Sequence, residues 1–373
     1  MTAPLAGSTV LTHHWLVRVR GGEKVLEALA ELAPDAPIHT LVHDPVGLGE
    51  SPLAEHSIHP SILQQVPGSV RHYPRLLPVL PLAAQSVRLP DADLVLCSDA
   101  AMAKAMRPAR RSTVVCYCHS PMRYAYEDDL YRAYRDGLSW WLRPIFGPAV
   151  ANARRVDRQA ARRVDVFVAN SAHVARRIER AYGRRAVVVH PPIDVPARPV
   201  AGPREDFYLA LGFHAGYKRL DLAIEACRRL GRRLVVIGTG PDVDRLAADP
   251  PPHVDLLGWQ SNEAVQQHLA TARGLLFCGE EDFGMVPVEA FARGCPVVAY
   301  GVGGATESVK PGACGVWFDR QTADDVLDAM QRLEAATFDP EAMHAEARRF
   351  DRPRFLEEIR SVLERALAGD LRS

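Results

Sequence analysis

Short apolar runs of four to six residues alternate along the chain with longer stretches whose apolar positions recur every three or four residues. That order builds strands and helices in alternation around parallel sheets. In the first half, Ser8–Thr12, Ile38–Val42, Leu94–Cys97, Thr113–Cys118, Val164–Ala169 and Ala186–His190 predict strands. In the second half, Phe207–Leu211, Arg233–Ile237, Val254–Leu257, Gly274–Cys278, Pro296–Ala299 and Gly315–Phe318 do the same. Helical spacing marks Gly22–Leu32, Leu220–Leu230, Asn262–Ala272 and Pro287–Arg293. A last helix over Arg354–Leu367 sets Phe355, Ile359, Val362, Leu363 and Ala366 on one face. The stretch Val195–Arg204, VPARPVAGPR, breaks both patterns with three prolines and a glycine and reads as a linker. The expectation is an α/β protein of two Rossmann-like domains, residues 1–195 and 205–350, with 351–373 packing back on the first. Doubly wound sheets take ligands at the carboxyl ends of their strands, so the two sheets are expected to face a central cleft.

At 373 residues, two cores are the default. No apolar run approaches the roughly 20 residues that span a bilayer, and the N-terminus, MTAPLAGSTVLTHHW, lacks a basic region followed by an apolar stretch. A cytoplasmic address is expected. The seven cysteines form no CxxC pair, so buried thiols are the simple reading, and no cofactor or metal is called for. Charge changes the picture more. Residues 101–190 hold 18 Lys and Arg against 7 Asp and Glu in a chain of zero net charge, which points to a local anionic partner rather than to nucleic acid.

The most informative segment is Gly274–Tyr300, GLLFCGEEDFGMVPVEAFARGCPVVAY. A buried strand ends near Cys278, an acidic loop follows, and Pro287 suits the first position of the next helix. Glu281 in the loop and Glu289 in the helix are carboxylates able to accept hydrogen bonds from paired hydroxyls. Between them, the backbone N–H groups of Phe283, Gly284, Met285 and Val286 form a seat for an anion, and Gly284 lets that backbone come close. A sugar, a diphosphate and a ribose would satisfy this arrangement. With Glu281, Phe283, Gly284 and Glu289 in register, the segment resembles the family-4 retaining glycosyltransferases of the GT-B fold. The resemblance implies that Glu281 contacts donor-sugar hydroxyls and Glu289 the ribose.

GYKRLDLAIEA places Lys218 and Arg219 at a helix entrance. Lysine is rare here, only four among 45 basic residues, so its retention at 218 suggests a compact point charge is needed. The resemblance puts Lys218 on the donor diphosphate, with Arg219 beside it. Many relatives carry an arginine five residues earlier, where this chain has Phe213. VVIGTGPD is a strand leading into a glycine turn; Val243 stands where a dinucleotide fingerprint needs its third glycine, so a nicotinamide site is not indicated. Gly238 and Gly240 are candidates to border the nucleotide.

In the first half, Gly21 and Gly22 open a helix where backbone N–H groups can meet phosphate, and His13 and His14 precede it. YCHSPMRYAYED resembles the HxPMR segment of mannosyltransferase-like members. It makes His119 a candidate catalytic group and Arg123 a candidate phosphate or acceptor contact. Residues 138–163 mix Trp140, Trp141, Leu142, Ile145 and Phe146 with a run of arginines, a composition that suits an anionic membrane surface or a core segment beside a solvated helix. Asp91 and Asp93 have DxD spacing but open an expected buried strand. The resemblance spans nearly the whole chain. It implies a metal-independent transferase carrying a sugar, with mannose from GDP-mannose favoured, to a glycan or lipid-linked acceptor of polysaccharide assembly. A nucleotide-sugar 2-epimerase and a non-catalytic nucleotide-sugar binder are the competing readings.

Overall fold

A computed structural model of the chain describes residues 4–200 and 202–371. These residues fall into two compact units, one within Met1–Pro192 and Phe355–Ser373, the other within Ile193–Arg354. The first unit holds strands β1 (Thr9–His13), β2 (Ile38–Thr40), β3 (Ile58–Pro60), β4 (Leu94–Asp99), β5 (Thr113–Cys118), β6 (Val166–Ala169) and β7 (Ala186–Val188). They form one sheet in the order β3-β2-β1-β4-β5-β6-β7, and every pairing is parallel. The second unit holds β8 (Phe207–Phe213), β9 (Arg233–Thr239), β10 (Val254–Gly258), β11 (Gly274–Phe277), β12 (Val297–Tyr300) and β13 (Gly315–Phe318). Their order is β10-β9-β8-β11-β12-β13, again all parallel.

Parallel strands need crossover helices, and those helices cover both faces of each sheet with apolar side chains. In the first unit, Leu26 and Leu29 of helix Gly21–Ala30 pack with Leu11, Leu96 and Tyr117 on one face. The terminal helix, Arg352–Ala368, adds Phe355, Ile359 and Leu363 to the same face. Tyr117 seals the joint by meeting Phe355 edge-on at 5.8 Å and donating its hydroxyl to the Val189 carbonyl at 2.9 Å. Caps fix where the helices stop. Ser171 Oγ accepts the Val174 N–H at 3.0 Å to start helix Ala172–Tyr182, and Gly183 ends it with a φ of 67°.

Several details depart from the sequence reading, beyond shifts of one or two residues at the ends of other strands. β3 is a short edge strand ending in Pro60, too short and too exposed to leave an apolar run. β4, β8 and β9 each run two residues further, because Ser98, Asp99, Gly212 and Gly238 continue the ladder although none is apolar. Helix Met285–Phe291 begins two residues before Pro287; a proline is tolerated anywhere in the first turn, where N–H groups have no intrahelical acceptor. Val195–Arg204 lies in the second unit, where Val195 packs on the core and Arg204 donates to the Ala270 carbonyl at 2.5 Å and the Gly294 carbonyl at 2.6 Å.

One buried charge cluster organises the first sheet. Asp99, the last residue of β4, accepts the N–H groups of Ala101 and Ala103 and, at 2.6 Å, the Lys104 ammonium. Lys104 Nζ also lies 2.5 Å from Asp157 on helix Arg143–Ala161, and all three side chains are fully enclosed. The second oxygen of Asp157 takes the Tyr126 and Tyr182 hydroxyls, each at 2.8 Å. Burial alone would lower the lysine pKa, but Asp157 and Asp99 outweigh it and hold the ammonium charged. Lys104→Ala is therefore expected to destabilise the protein by about 3–5 kcal/mol, because two carboxylates would stay buried without a cation. Urea unfolding measures this, and a loss below about 1 kcal/mol would contradict the assignment.

Candidate functional site

In each sheet the strand order reverses at one point, between β1 and β4 in the first unit and between β8 and β11 in the second. Outside the carboxyl ends of such strands the crossovers diverge in opposite directions and leave room for a ligand. His13 and His119 lie at the first of these places, and Lys218 and Glu281 at the second.

In the first unit, His13 ends β1 and stands in register with Ser98 of β4, while His119 follows the end of β5. Ser98 Oγ lies 3.0 Å from His13 Nδ1 and 2.8 Å from His119 Nε2. His13 Nε2 faces Glu23 Oε1 at 3.4 Å, and Glu23 Oε2 accepts the Arg20 N–H at 2.9 Å, tying the third helical residue back to the helix start. His14 lies against His13, the rings tilted by 38° with centroids 4.1 Å apart. Gly22 closes the group: a Cβ there would stand 3.8 Å from both His119 Nε2 and His13 Cε1. Asn170 holds the His119 carbonyl at 3.0 Å, and His119 is half-buried. Burial pushes His13 down to about 4 against the pull of Asp99. Burial, helped by the neighbouring imidazoles, takes His14 and His119 to about 3. All three rings are neutral at pH 7. Burial likewise raises the Glu23 carboxyl.

Gly21 is the first residue of the same helix. Arg123 is turned to Glu127, 3.3 Å away, and Glu127 is shared with Arg177 at 3.1 Å. Asp91 pairs with Arg111, and Asp93 takes the Ser8 N–H and hydroxyl at 2.9 Å each, so both carboxylates of the DxD spacing serve the fold.

In the second unit, β8 leads into a 3-10 turn, Gly216–Lys218, and β11 leads into the acidic loop. The Lys218 ammonium contacts the Glu281 carboxylate directly, and both side chains are mostly buried. Backbone packing brings them together. A Cβ at Gly279 would lie 2.6 Å from the Tyr217 carbonyl and 2.8 Å from Lys218 Cα, so only glycine lets the loop lie on the turn. On its other side the loop is held by Gly303 and Gly304: Gly304 donates to the Glu281 carbonyl at 2.8 Å, and a Cβ on it would meet Phe283 Cα at 2.2 Å. Arg219 has a φ of 54°, the one non-glycine residue with positive φ among those described. Its guanidinium is bound by Asp221 at 2.9 Å and lies 3.4 Å from the Gln321 carbonyl, so Lys218 is the cation at the carboxylate. Arg219 thus sits beside the group and shapes the turn.

Gly284 has a φ of 84° and precedes helix Met285–Phe291. Phe283 is a core residue, ring to ring with Phe350 at 5.3 Å, and Met285 and Val286 are half-buried against the same core. With its ring in the core, Phe283 has only its backbone to offer a ligand. Glu289 is half-buried beside Arg293, which donates to the Glu289 carbonyl at 3.1 Å. Burial lowers the Arg293 pKa, and the charges of Glu289 and Asp194 oppose that. Gly238 and Gly240 are required by packing: Cβ atoms there would come within 1.8 Å of the Gly212 carbonyl and 2.2 Å of the His214 carbonyl. Phe213, at the end of β8, is 42% exposed.

Sequence reasoning missed Ser98, Gly279, Gly303 and Gly304. Ser98 becomes visible only through the β1–β4 register; a VGG triplet after a strand was a weak signal for the last two.

The neutral imidazoles set a pH dependence. In the unfolded chain a histidine takes a proton below about 6.5, whereas His13 in the folded chain does so only near 4. Stability therefore falls as pH drops from about 6.5 towards 4, by about 2 kcal/mol at pH 5 from each of the two enclosed rings, His13 and His14. Glu23 acts in the opposite sense, since its raised pKa lets the folded state take a proton first. One carboxyl does not cancel two imidazoles. Urea midpoints at pH 7 and pH 5 should differ accordingly, and equal midpoints would refute the neutral cluster.

Comparison with known proteins adds to this geometry. Residues 19–196 match the family model described as Glycosyltransferase Family 4, and residues 197–350 match that described as Glycosyl transferases group 1. The chain is 32% identical over 234 residues to a D-inositol 3-phosphate glycosyltransferase of Geodermatophilus obscurus, covering 52% of this chain and 50% of that protein. It is 33% identical over 134 residues to a GDP-mannose-dependent α-(1-6)-phosphatidylinositol monomannoside mannosyltransferase of Mycobacterium tuberculosis, 32% of this chain and 34% of that one. The matches thus span about half or less of the curated relatives' length. The crystal structure of Anabaena HepE in complex with UDP superposes with a TM-score of 0.67 at 17% identity, covering 96% of this chain and 99% of HepE, a likeness of fold. With two family models in tandem from residue 19 to residue 350, on two parallel-sheet Rossmann-like units, the chain belongs to the family-4 glycosyltransferases of the GT-B fold.

Proposed function

We propose that this chain is a retaining glycosyltransferase that moves a hexose, mannose from GDP-mannose by preference, from a nucleotide sugar to a glycan or lipid-linked acceptor. The observation that carries the reading is the Lys218–Glu281 contact at the strand-order reversal of the second sheet. A mostly buried ammonium beside a carboxylate offers one group for a diphosphate and one for sugar hydroxyls. Breaking the glycosidic bond leaves charge on the departing diphosphate, and a preorganised cation lowers that barrier. Lys218 supplies it in this reading, without a bound metal. Glu281 takes the donor-sugar hydroxyls, Glu289 the ribose, and the backbone at Gly284 to Val286 the phosphate. Gly238 and Gly240 border the nucleotide. His119 is assigned to the donor sugar, and Gly21, Gly22 and Arg123 to phosphate or acceptor. The mannosyltransferase relative favours GDP-mannose; the UDP bound to HepE keeps uridine sugars in the test.

The proposal extends to an anionic membrane surface. Trp140 is 80% exposed and Trp141 59%, in the turn between helices Asp128–Asp136 and Arg143–Ala161. Tyr134 and Ile145 are exposed nearby, and Arg132, Arg135 and Arg143 flank them. Aromatic side chains with flanking arginines suit the headgroup layer. Among the described residues no helix is long and apolar enough to cross a membrane.

Lys218→Ala and Glu281→Ala are each expected to lower transfer by at least roughly 10²-fold with the fold intact; near-normal turnover would refute the roles. In a thermal-shift panel of GDP, UDP and ADP, GDP should stabilise most, about 2.7 kcal/mol at a hundred times its Kd. Lys218→Ala should abolish the shift, and a panel with no shift ends the reading. A changed sugar with no acceptor present would mark an epimerase instead. Vesicles with anionic lipid should sediment the protein at low salt, and Trp140→Ala with Trp141→Ala should release it; failure of the native chain to sediment removes the membrane surface from the proposal.

A further inference from the structure

The chain of contacts from Glu23 to His119 contains more than packing. Four groups lie in line: the Glu23 carboxylate, the His13 ring, the Ser98 hydroxyl and the His119 ring, joined at 3.4, 3.0 and 2.8 Å. Each neutral imidazole has one N–H and one lone pair, and a serine hydroxyl donates one hydrogen. The protons along the line are therefore not independent. The Arg20 N–H on Oε2 favours the ionised form of Glu23 against the pull of burial. An ionised Glu23 only accepts, so His13 then carries its proton on Nε2. His13 Nδ1 is then a lone pair and takes the Ser98 O–H. Ser98 Oγ, having given its hydrogen, is left to accept, and His119 must carry its proton on Nε2. His119 Nδ1 is the bare nitrogen at the end. No described residue bonds it, and the side chain keeps partial exposure.

We propose that Glu23, His13 and Ser98 are positioning residues that lock His119 as its Nε2–H tautomer, so that it offers Nδ1 as an acceptor for a hydroxyl of the bound sugar. A ring so fixed rejects a phosphate oxygen, which has no hydrogen to give, and selects an O–H. This deepens the contact assigned to His119 under the proposed function and rests on it. The same line has a reverse polarity, which an amide at position 23 would select. The Arg20 N–H donates to Glu23 Oε2 and cannot accept, so in Glu23→Gln the amide oxygen must keep that place. The amide NH2 then faces His13 Nε2. Every hydrogen bond in the line turns round, and His119 becomes the Nδ1–H tautomer.

The test uses the full chain labelled with ¹⁵N-histidine, with the His119 signals assigned by their loss in His119→Gln. Long-range ¹H–¹⁵N spectra at pH 7.5 should show a pyrrole-type Nε2 and a pyridine-type Nδ1 in the native protein. Glu23→Gln should exchange the two, and Ser98→Ala, which breaks the line, should give a mixture. A purely structural role for Glu23 moves none of these signals. Calorimetry then compares GDP-mannose with GDP, and UDP-glucose with UDP. Glu23→Gln should weaken the sugar-bearing ligand by about tenfold and leave its free diphosphate unchanged. A native Nδ1–H tautomer, or a Glu23→Gln protein with the native tautomer, overturns the relay. An exchanged tautomer with unchanged sugar affinity overturns the acceptor role of His119, and so separates failure of the functional reading from failure of the relay.

Discussion

The parallel hydrogen-bond ladder next to each strand-order reversal is the constraint on which the rest of this structure depends. In the first sheet, β1 against β4 puts His13 opposite Ser98, and β4 against β5 brings His119 alongside. In the second, β8 beside β11 sets the Lys218 turn next to the Glu281 loop. Parallel strands all point the same way, so their carboxyl ends share an edge, and the side chains emerging there converge. A slip of one residue in either ladder would send these groups to the other face of the sheet.

Burial then decides what the convergent groups are. The same enclosed surroundings keep Lys104 charged and His13 neutral, and the difference lies in partners. Lys104 has two carboxylates within 2.6 Å, whereas His13 has a hydroxyl at 3.0 Å and one carboxylate at 3.4 Å. Two close opposite charges outweigh desolvation, and one distant charge does not. Asp99 sits next to Ser98 in β4, so the ion cluster that anchors the strand end also fixes the serine between the two imidazoles.

Glycine does in the second unit what charge does in the first. Gly279, Gly303 and Gly304 let three loops lie backbone against backbone, and any Cβ would force them apart. The Lys218–Glu281 contact follows from that approach. Arg219 adds a backbone in the left-handed region, a conformation that costs a non-glycine residue about 1–3 kcal/mol and tends to mark ligand sites.

Much of this was legible in the chain itself, for a reason that is local. Strands and helices announce themselves by apolar spacing within a few residues, which is why Thr113–Cys118, Leu220–Leu230 and Gly315–Phe318 were placed at their observed bounds. The Glu281 to Glu289 segment and Lys218 stood out because their residue types and spacing lie within short stretches. What could not be read there depends on residues far apart. Ser98 is 85 positions from His13 and 21 from His119, so its place between them exists only once the strands pair. The Phe283 ring belongs to the core because Phe350 comes to meet it, a contact 67 positions away along the chain. That Asp221 and the Gln321 carbonyl hold the Arg219 guanidinium, the latter from 102 positions away, is likewise decided by the fold. Local patterns set which elements form, since a strand or a helix answers mainly to its own residues. Partners and protonation belong to the fold, because hydrogen bonds and desolvation act across space and not along the chain.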